Sequence, residues 1–168
     1  MMGMNGKGGK VKENNRIRVL SVGLGQEDNS RLAAIFARSE WPSCPRGEWK
    51  LEAASSLRAA ASTLASEAAQ IVVCEKNLGS GSWRDVLDEV GRQTDPPALI
   101  VASRMADDYL WAEALNLGAY DVLAAPFDPA EVVRVLSSAW LHRMHRKEIA
   151  TAKSIRSLTN RAAYVAAS

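Results

Sequence analysis

Between residues 16 and 124, short runs of Val, Ile, Leu and Ala alternate with longer stretches whose apolar residues recur every three or four positions. The short runs predict strands at about 16–23, 48–54, 70–75, 97–102 and 120–124. The longer stretches predict helices at about 28–39, 56–68, 83–92, 106–117 and from 128 onward. A β-α unit repeated five times predicts an α/β fold, because strands apolar along their whole length belong to a parallel sheet with helices on both faces.

The punctuation between these segments supports that reading. Strand one, Arg16 to Gly23, runs into a glycine-rich turn, and Asp28 or Ser30 is expected to cap the helix that follows. Pro96-Pro97 stands where the fourth strand begins, a position that needs no amide donor. Gly118 follows the fourth helix, where positive φ is wanted, and Asp128-Pro129 reads as an N-cap followed by the first helical residue.

The fifth helix has no proline or glycine after Pro129, so it is expected to continue to about Ala167. Leu141, Met144, Ile155, Leu158, Ala162 and Val165 fall on heptad-compatible positions, interrupted by Glu148 and Thr151. Arg143, Arg146, Lys147, Lys153 and Arg156 concentrate positive charge in the same segment. The chain thus divides into a disordered tail at 1–15, a domain at 16–140 and a protruding helical extension at 141–168.

Composition narrows the class without naming a function. With 168 residues, 47% apolar and 24% charged, the chain fits one soluble domain plus appended segments. Cys44 and Cys74 lie thirty apart and form no CxxC pair, which excludes a disulfide framework and a thiolate zinc cluster and points to the cytoplasm. Residues 1–15 lack the apolar core of a secretory signal, and no run approaches the roughly eighteen apolar residues of a membrane span.

The stretch Leu117-Gly-Ala-Tyr-Asp-Val-Leu-Ala-Ala-Pro-Phe-Asp-Pro-Ala-Glu131 resembles the end of the receiver domain of bacterial response regulators. The resemblance covers about residues 16–140. It implies a doubly wound, flavodoxin-like sheet of order 2-1-3-4-5 and a cis peptide bond before Pro126.

Receivers accept a phosphoryl group on an aspartate, hold Mg²⁺ with two acids, and steady the transfer with a hydroxyl and a lysine. Matched to that pattern, the acidic pair falls on Gly23 and Leu24, the phosphoacceptor on Glu75, the hydroxyl on Ala102 and the lysine on Ala125. Glu27 and Asp28 come later and replace the pair only if the loop folds back. A glutamate is one methylene longer than an aspartate, which displaces the attacking oxygen by roughly an ångström and spoils an in-line transfer. The resemblance therefore implies a degenerate receiver that signals through protein partners, with no cofactor and no catalysis.

Other features admit sharper and blander readings. Glu75 is either a permanent substitute for the phosphorylated state or a solvated carboxylate whose charge meets a partner only if Arg104 or Lys76 swings over. Gly23 and Gly25 hint at a nucleotide-binding turn, but the third glycine is missing and Glu27 and Asp28 would repel a pyrophosphate. His142 and His145 lack a third metal ligand, so no metal is expected. Neither cysteine has the setting of a nucleophile.

Tyr109, Trp111, Val122 and Trp140 mark the side that receivers commonly use for partners. With Leu141, Met144, Ile155 and Leu158 they make up the candidate interface. The extension predicts a homodimer through its apolar seam, and nucleic-acid binding through its basic residues is the less favoured alternative.

Overall fold

In a computed structural model, which describes residues 16–42 and 47–167, five parallel strands form one sheet. They are β1 (Arg16–Val22), β2 (Glu48–Ala54), β3 (Ile71–Glu75), β6 (Ala98–Ser103) and β7 (Asp121–Ala124), in the order β2-β1-β3-β6-β7. Among the five long strands this is the expected order 2-1-3-4-5. The tail at 1–15 and Cys44 lie outside the described residues.

Helices α1 (Gln26–Arg38), α2 (Leu57–Ser66), α3 (Trp83–Gly91), α4 (Asp108–Leu117) and α5 (Pro129–Ala166) follow the five long strands in turn. Side chains alternate across the sheet, so two apolar layers form. Ile17, Val19, Ile71, Val73 and Ile100 pack with Leu32, Phe127, Val132 and Leu136 on the α1/α5 face. Leu20, Val22, Val72, Leu99 and Val101 pack with Leu64, Trp83, Val86 and Leu110 on the α2–α4 face.

Local chemistry sets the helix ends. Ser56, Asp107 and Asp128 accept the amides of Ala59, Leu110 and Glu131, and Gly118 closes α4 with φ of 112°. Ser82 and Asp85 make a reciprocal capping box that starts α3 directly after a two-stranded hairpin, β4 (Asn77–Leu78) with β5 (Gly81–Ser82). That hairpin was not expected; Gly79-Ser80 supplies its two-residue turn. The peptide bond between Ala125 and Pro126 is cis, as the resemblance implied.

One cap differs from expectation. The N-cap of α1 is Gly25, which offers no side-chain acceptor, and the helix starts at Gln26. Asp28 and Ser30 therefore lie inside the helix, and Asp28 is buried.

α5 spans 38 residues, about 57 Å at 1.5 Å per residue. Val132, Val135, Leu136 and Ala139 pack on the sheet, and Arg143 is the last buried residue. From Met144 to Ala167 every residue is exposed, and Lys147 still reaches back to Asp95 at 2.8 Å. Among the described residues no helix is long and apolar enough to cross a membrane.

Candidate functional site

The C-terminal ends of β1, β3, β6 and β7 converge on Glu75. Glu75 is the last residue of β3 and pairs with Ala102 of β6 in register, while Ala125 follows β7 and donates its amide to Ser103. Ala102 and Ala125 are buried and belong to the apolar layer on the α1/α5 face. Neither methyl group can donate to or neutralise an oxyanion. The hydroxyl of Ser103 is engaged in its own turn, where it accepts the amide of Met105 at 3.1 Å.

The positions matched to the acidic pair are occupied by a glycine at positive φ and a buried leucine. Gly23 has φ of +71°, which strains any other residue, and a Cβ built there would lie 2.2 Å from Leu78 Cδ2, so a side chain at this position would have to displace the buried Leu78. Leu24 is buried in the apolar layer. The glycine that hinted at a nucleotide turn is thus accounted for by close packing of Leu78.

Asp28 enters the site from the first turn of α1. It is 6% exposed, and Nη2 of Arg104 reaches its Oδ1 and Oδ2 at 3.1 and 3.0 Å. Arg104 stands directly after β6, so the pair ties the first helix to the sheet edge across 76 residues of sequence. Asn29 anchors the same turn by donating to the carbonyl of Leu24 at 2.9 Å. Glu27, by contrast, is exposed.

Burial raises the pKa of the half-buried Glu75 carboxyl above the usual glutamate range. The backbone amide of Lys76 opposes that rise, the Asp28 charge adds to it, and the Arg104 charge opposes it. Arg104 is thus a shared counter-charge, bonded to Asp28 and close enough to be felt by Glu75. The neighbouring Cys74 thiol is fully buried, and desolvation first, then the Glu75 charge, push its pKa up to about 12. A thiol in that state is inert as a nucleophile.

Mg²⁺ does not fit these residues. It needs carboxylates and waters in near-octahedral array, whereas Gly23 and Leu24 offer no oxygen-bearing side chain and Asp28 is already held by Arg104. The described residues contain no group of three His, Cys, Asp or Glu side chains able to hold a metal.

The predicted interface residues separate. Tyr109 and Trp111 on α4 are 78% and 50% exposed, and Trp111 Nε1 donates to Asp121 Oδ1 of β7 at 3.1 Å. Val122 is buried in the α2–α4 layer, because its strand turns it inward, so it does not belong to the surface. Trp140 is partly buried against the α1/α5 layer. Leu141, Met144, Ile155 and Leu158 are all exposed, as is Ile149, which the heptad pattern does not include.

His142 packs its ring on Tyr120 at 5.6 Å between centroids, and His145 lies 4.0 Å from Glu148. Arg143, read from the sequence as part of a basic surface, is instead 4% exposed. Asp95 draws it inward, with an ion pair of 2.6 Å and a bond from Nη2 to the Asp95 carbonyl of 3.2 Å.

The fold is similar to that of receiver domains in solved structures. The fold matches the signal receiver domain of an HD domain-containing protein from Pseudomonas fluorescens Pf-5, with a TM-score of 0.65 and 23% identity, over 77% of this chain and 98% of that one. It also matches the signal receiver domain of a putative Luxo repressor protein from Vibrio parahaemolyticus, with a TM-score of 0.63 and 19% identity, over 80% and 97% of the two chains. A response regulator receiver domain from Clostridium thermocellum matches with a TM-score of 0.59 and 17% identity, over 79% and 98%. No protein-family model matches the sequence, and no curated protein matches it.

Proposed function

We propose that this chain is a signalling module of receiver fold that acts by binding protein partners, without aspartyl phosphorylation and without catalysis. The observation that carries this reading is the Asp28–Arg104 pair. It commits the buried carboxylate whose charge acts on Glu75 to an internal ion pair, and Glu75 itself pairs in register with an alanine, Ala102. Phosphoryl transfer depends on positioning and on charge stabilisation. Gly23, Leu24, Ala102 and Ala125 supply neither.

Partner contact falls to the exposed surfaces, namely Tyr109 and Trp111 on α4 and the outer turns of α5. Isolated helices are marginal in water, and α5 is exposed over some six turns beyond Met144. Pairing with a second copy along Leu141, Met144, Ile155 and Leu158 would bury that seam.

The test is intact-mass measurement after incubation with acetyl phosphate and Mg²⁺. No phosphoryl adduct is expected. An adduct that disappears in Glu75→Gln or Asp28→Asn would overturn the proposal.

A further inference from the structure

Beyond Arg143, α5 carries two faces that differ in kind. At about 100° per residue, Met144, Ile155, Leu158 and Val165 fall within about 60° of one line along the helix, and Arg146, Lys153, Arg156 and Arg161 fall within about 80° of the opposite line. We propose that this second face binds double-stranded DNA, with the helix seated in the major groove and its four cations on the phosphates. The sequence sets self-association against nucleic-acid binding on this segment. The fold lets both stand, because the apolar seam and the basic residues occupy opposite sides of one continuous helix.

The four cations are open to an outside anion. Every residue from Met144 to Ala167 is exposed. Among the described residues none of the four takes part in an ion pair, whereas Lys147, on the seam half, is held by Asp95 at 2.8 Å. Glu148 is the only carboxylate side chain after Glu131, and it too lies on the seam half. Five Lys and Arg therefore stand against one Glu after Met144, while the whole chain carries only +2, so the part before this segment is net negative. A polyanion is drawn to the outer turns and not to the domain.

Spacing selects the kind of polyanion. Arg146 to Arg161 spans about 22 Å at 1.5 Å per residue, a straight line of charge suited to a rigid duplex. Arg156 and Arg161 diverge by about 140° around the axis, with Arg146 and Lys153 between them. A helix is about 10–12 Å across and the major groove of B-form DNA about 12 Å wide, so the diverging arginines meet the two backbones that border it. Cations on phosphates release counter-ions, which supplies affinity without base readout. The seam faces out of the groove, so this contact does not depend on a second copy being paired there.

Fluorescence anisotropy of the full chain with a short mixed-sequence DNA duplex, repeated at several salt concentrations, tests the assignment. Saturable binding is expected, with log affinity falling against log salt at a slope of about −3 to −4 for four phosphate contacts. Lys153→Gln and Arg156→Gln each remove one contact from an exposed position, so each is expected to flatten the slope by about one and to keep the wild-type melting curve. Lys147→Gln removes the same charge from the other half and is expected to leave the slope unchanged. Duplex RNA of the same sequence has a major groove too narrow for a helix and is expected to bind about tenfold more weakly. Absence of saturable binding at low salt, an equal loss of slope in Lys147→Gln and Lys153→Gln, RNA bound as tightly as DNA, or tighter binding to polyglutamate or phosphatidylserine vesicles would each overturn the assignment.

Discussion

Arg104 Nη2 bridges both carboxylate oxygens of Asp28, at 3.1 and 3.0 Å, from a position directly after β6 to one inside α1. The Asp28 side chain is 8% exposed and that of Arg104 57%, so the arginine comes in from solvent to answer a buried charge. A receiver's reaction needs that charge free for a metal. Here the same kind of oxygen serves the fold, and the sheet edge is closed by an internal contact.

Breaking this pair should be costly chiefly for the buried partner. Arg104→Ala leaves Asp28 without its donor and is expected to lower stability by about 1–2 kcal/mol, the low end of the range for a charged hydrogen bond because Arg104 is itself half in water. Asp28→Asn should lower it less, since a neutral amide tolerates the loss. Urea denaturation checks both, and an unchanged midpoint in Arg104→Ala would reduce the pair to a surface contact.

Restoring the first acid should not restore metal binding. Gly23→Asp sets a Cβ against Leu78 at 2.2 Å on a residue with φ of +71°, and both effects oppose it. A loss of about 2–4 kcal/mol is expected from the clash and the backbone strain together. Melting with and without Mg²⁺ measures it, and a Mg²⁺-dependent rise in the Gly23→Asp melting temperature would refute the steric account.

Much of this architecture was legible in the chain because its signals are local. The β2 strand lies at the predicted 48–54, and Asp128, Gly118 and Pro129 act through groups a few residues away. What escaped depends on distant partners. Asp28 reads as a helix cap, yet its oxygens are claimed by Arg104, 76 positions on. Arg143 reads as one charge in a basic run, yet Asp95, 48 positions back, draws it inside. Val122 reads as surface by analogy, and only the facing of its strand places it in the core. The assignments of Gly23, Ala102 and Ala125 rest on the resemblance, whereas the contact that a Gly23 side chain would make with Leu78 and the bond from Arg104 to Asp28 could be read only from the folded chain.

Glu75 gives a pH signature with a definite sign. Its folded-state pKa is raised, first by burial, so the folded chain holds that proton more tightly than the unfolded chain does. The resulting stability is present below the ordinary glutamate range and is lost as pH rises through the raised value. Glu75→Gln removes the buried charge and is expected to be more stable than the parent at pH 7, with the two converging below about pH 4. Melting temperatures across that range decide it, and a parent that gains on the variant as pH rises would reverse the sign.

Self-association should reside in the last turns of α5. Met144 to Ala167 are exposed and belong to neither apolar layer, so a chain ending at Met144 retains both layers and the Arg143–Asp95 pair while losing the Lys147 contact to Asp95. Light scattering is expected to give a dimer for the full chain and a monomer for the shortened one. The shortened chain should keep a single cooperative unfolding transition, with a loss of no more than about 1 kcal/mol, the scale of one exposed ion pair. Within the seam, Leu158 is 66% exposed and Ile155 59%, so a double change to Ser relieves wet apolar surface in a monomer and removes buried contact in a dimer. Dissociation without loss of the core transition is the expected outcome. A full chain that is monomeric at every concentration would remove the second copy as the occupant of this helix and leave its exposed seam, with Tyr109 and Trp111, to a different protein.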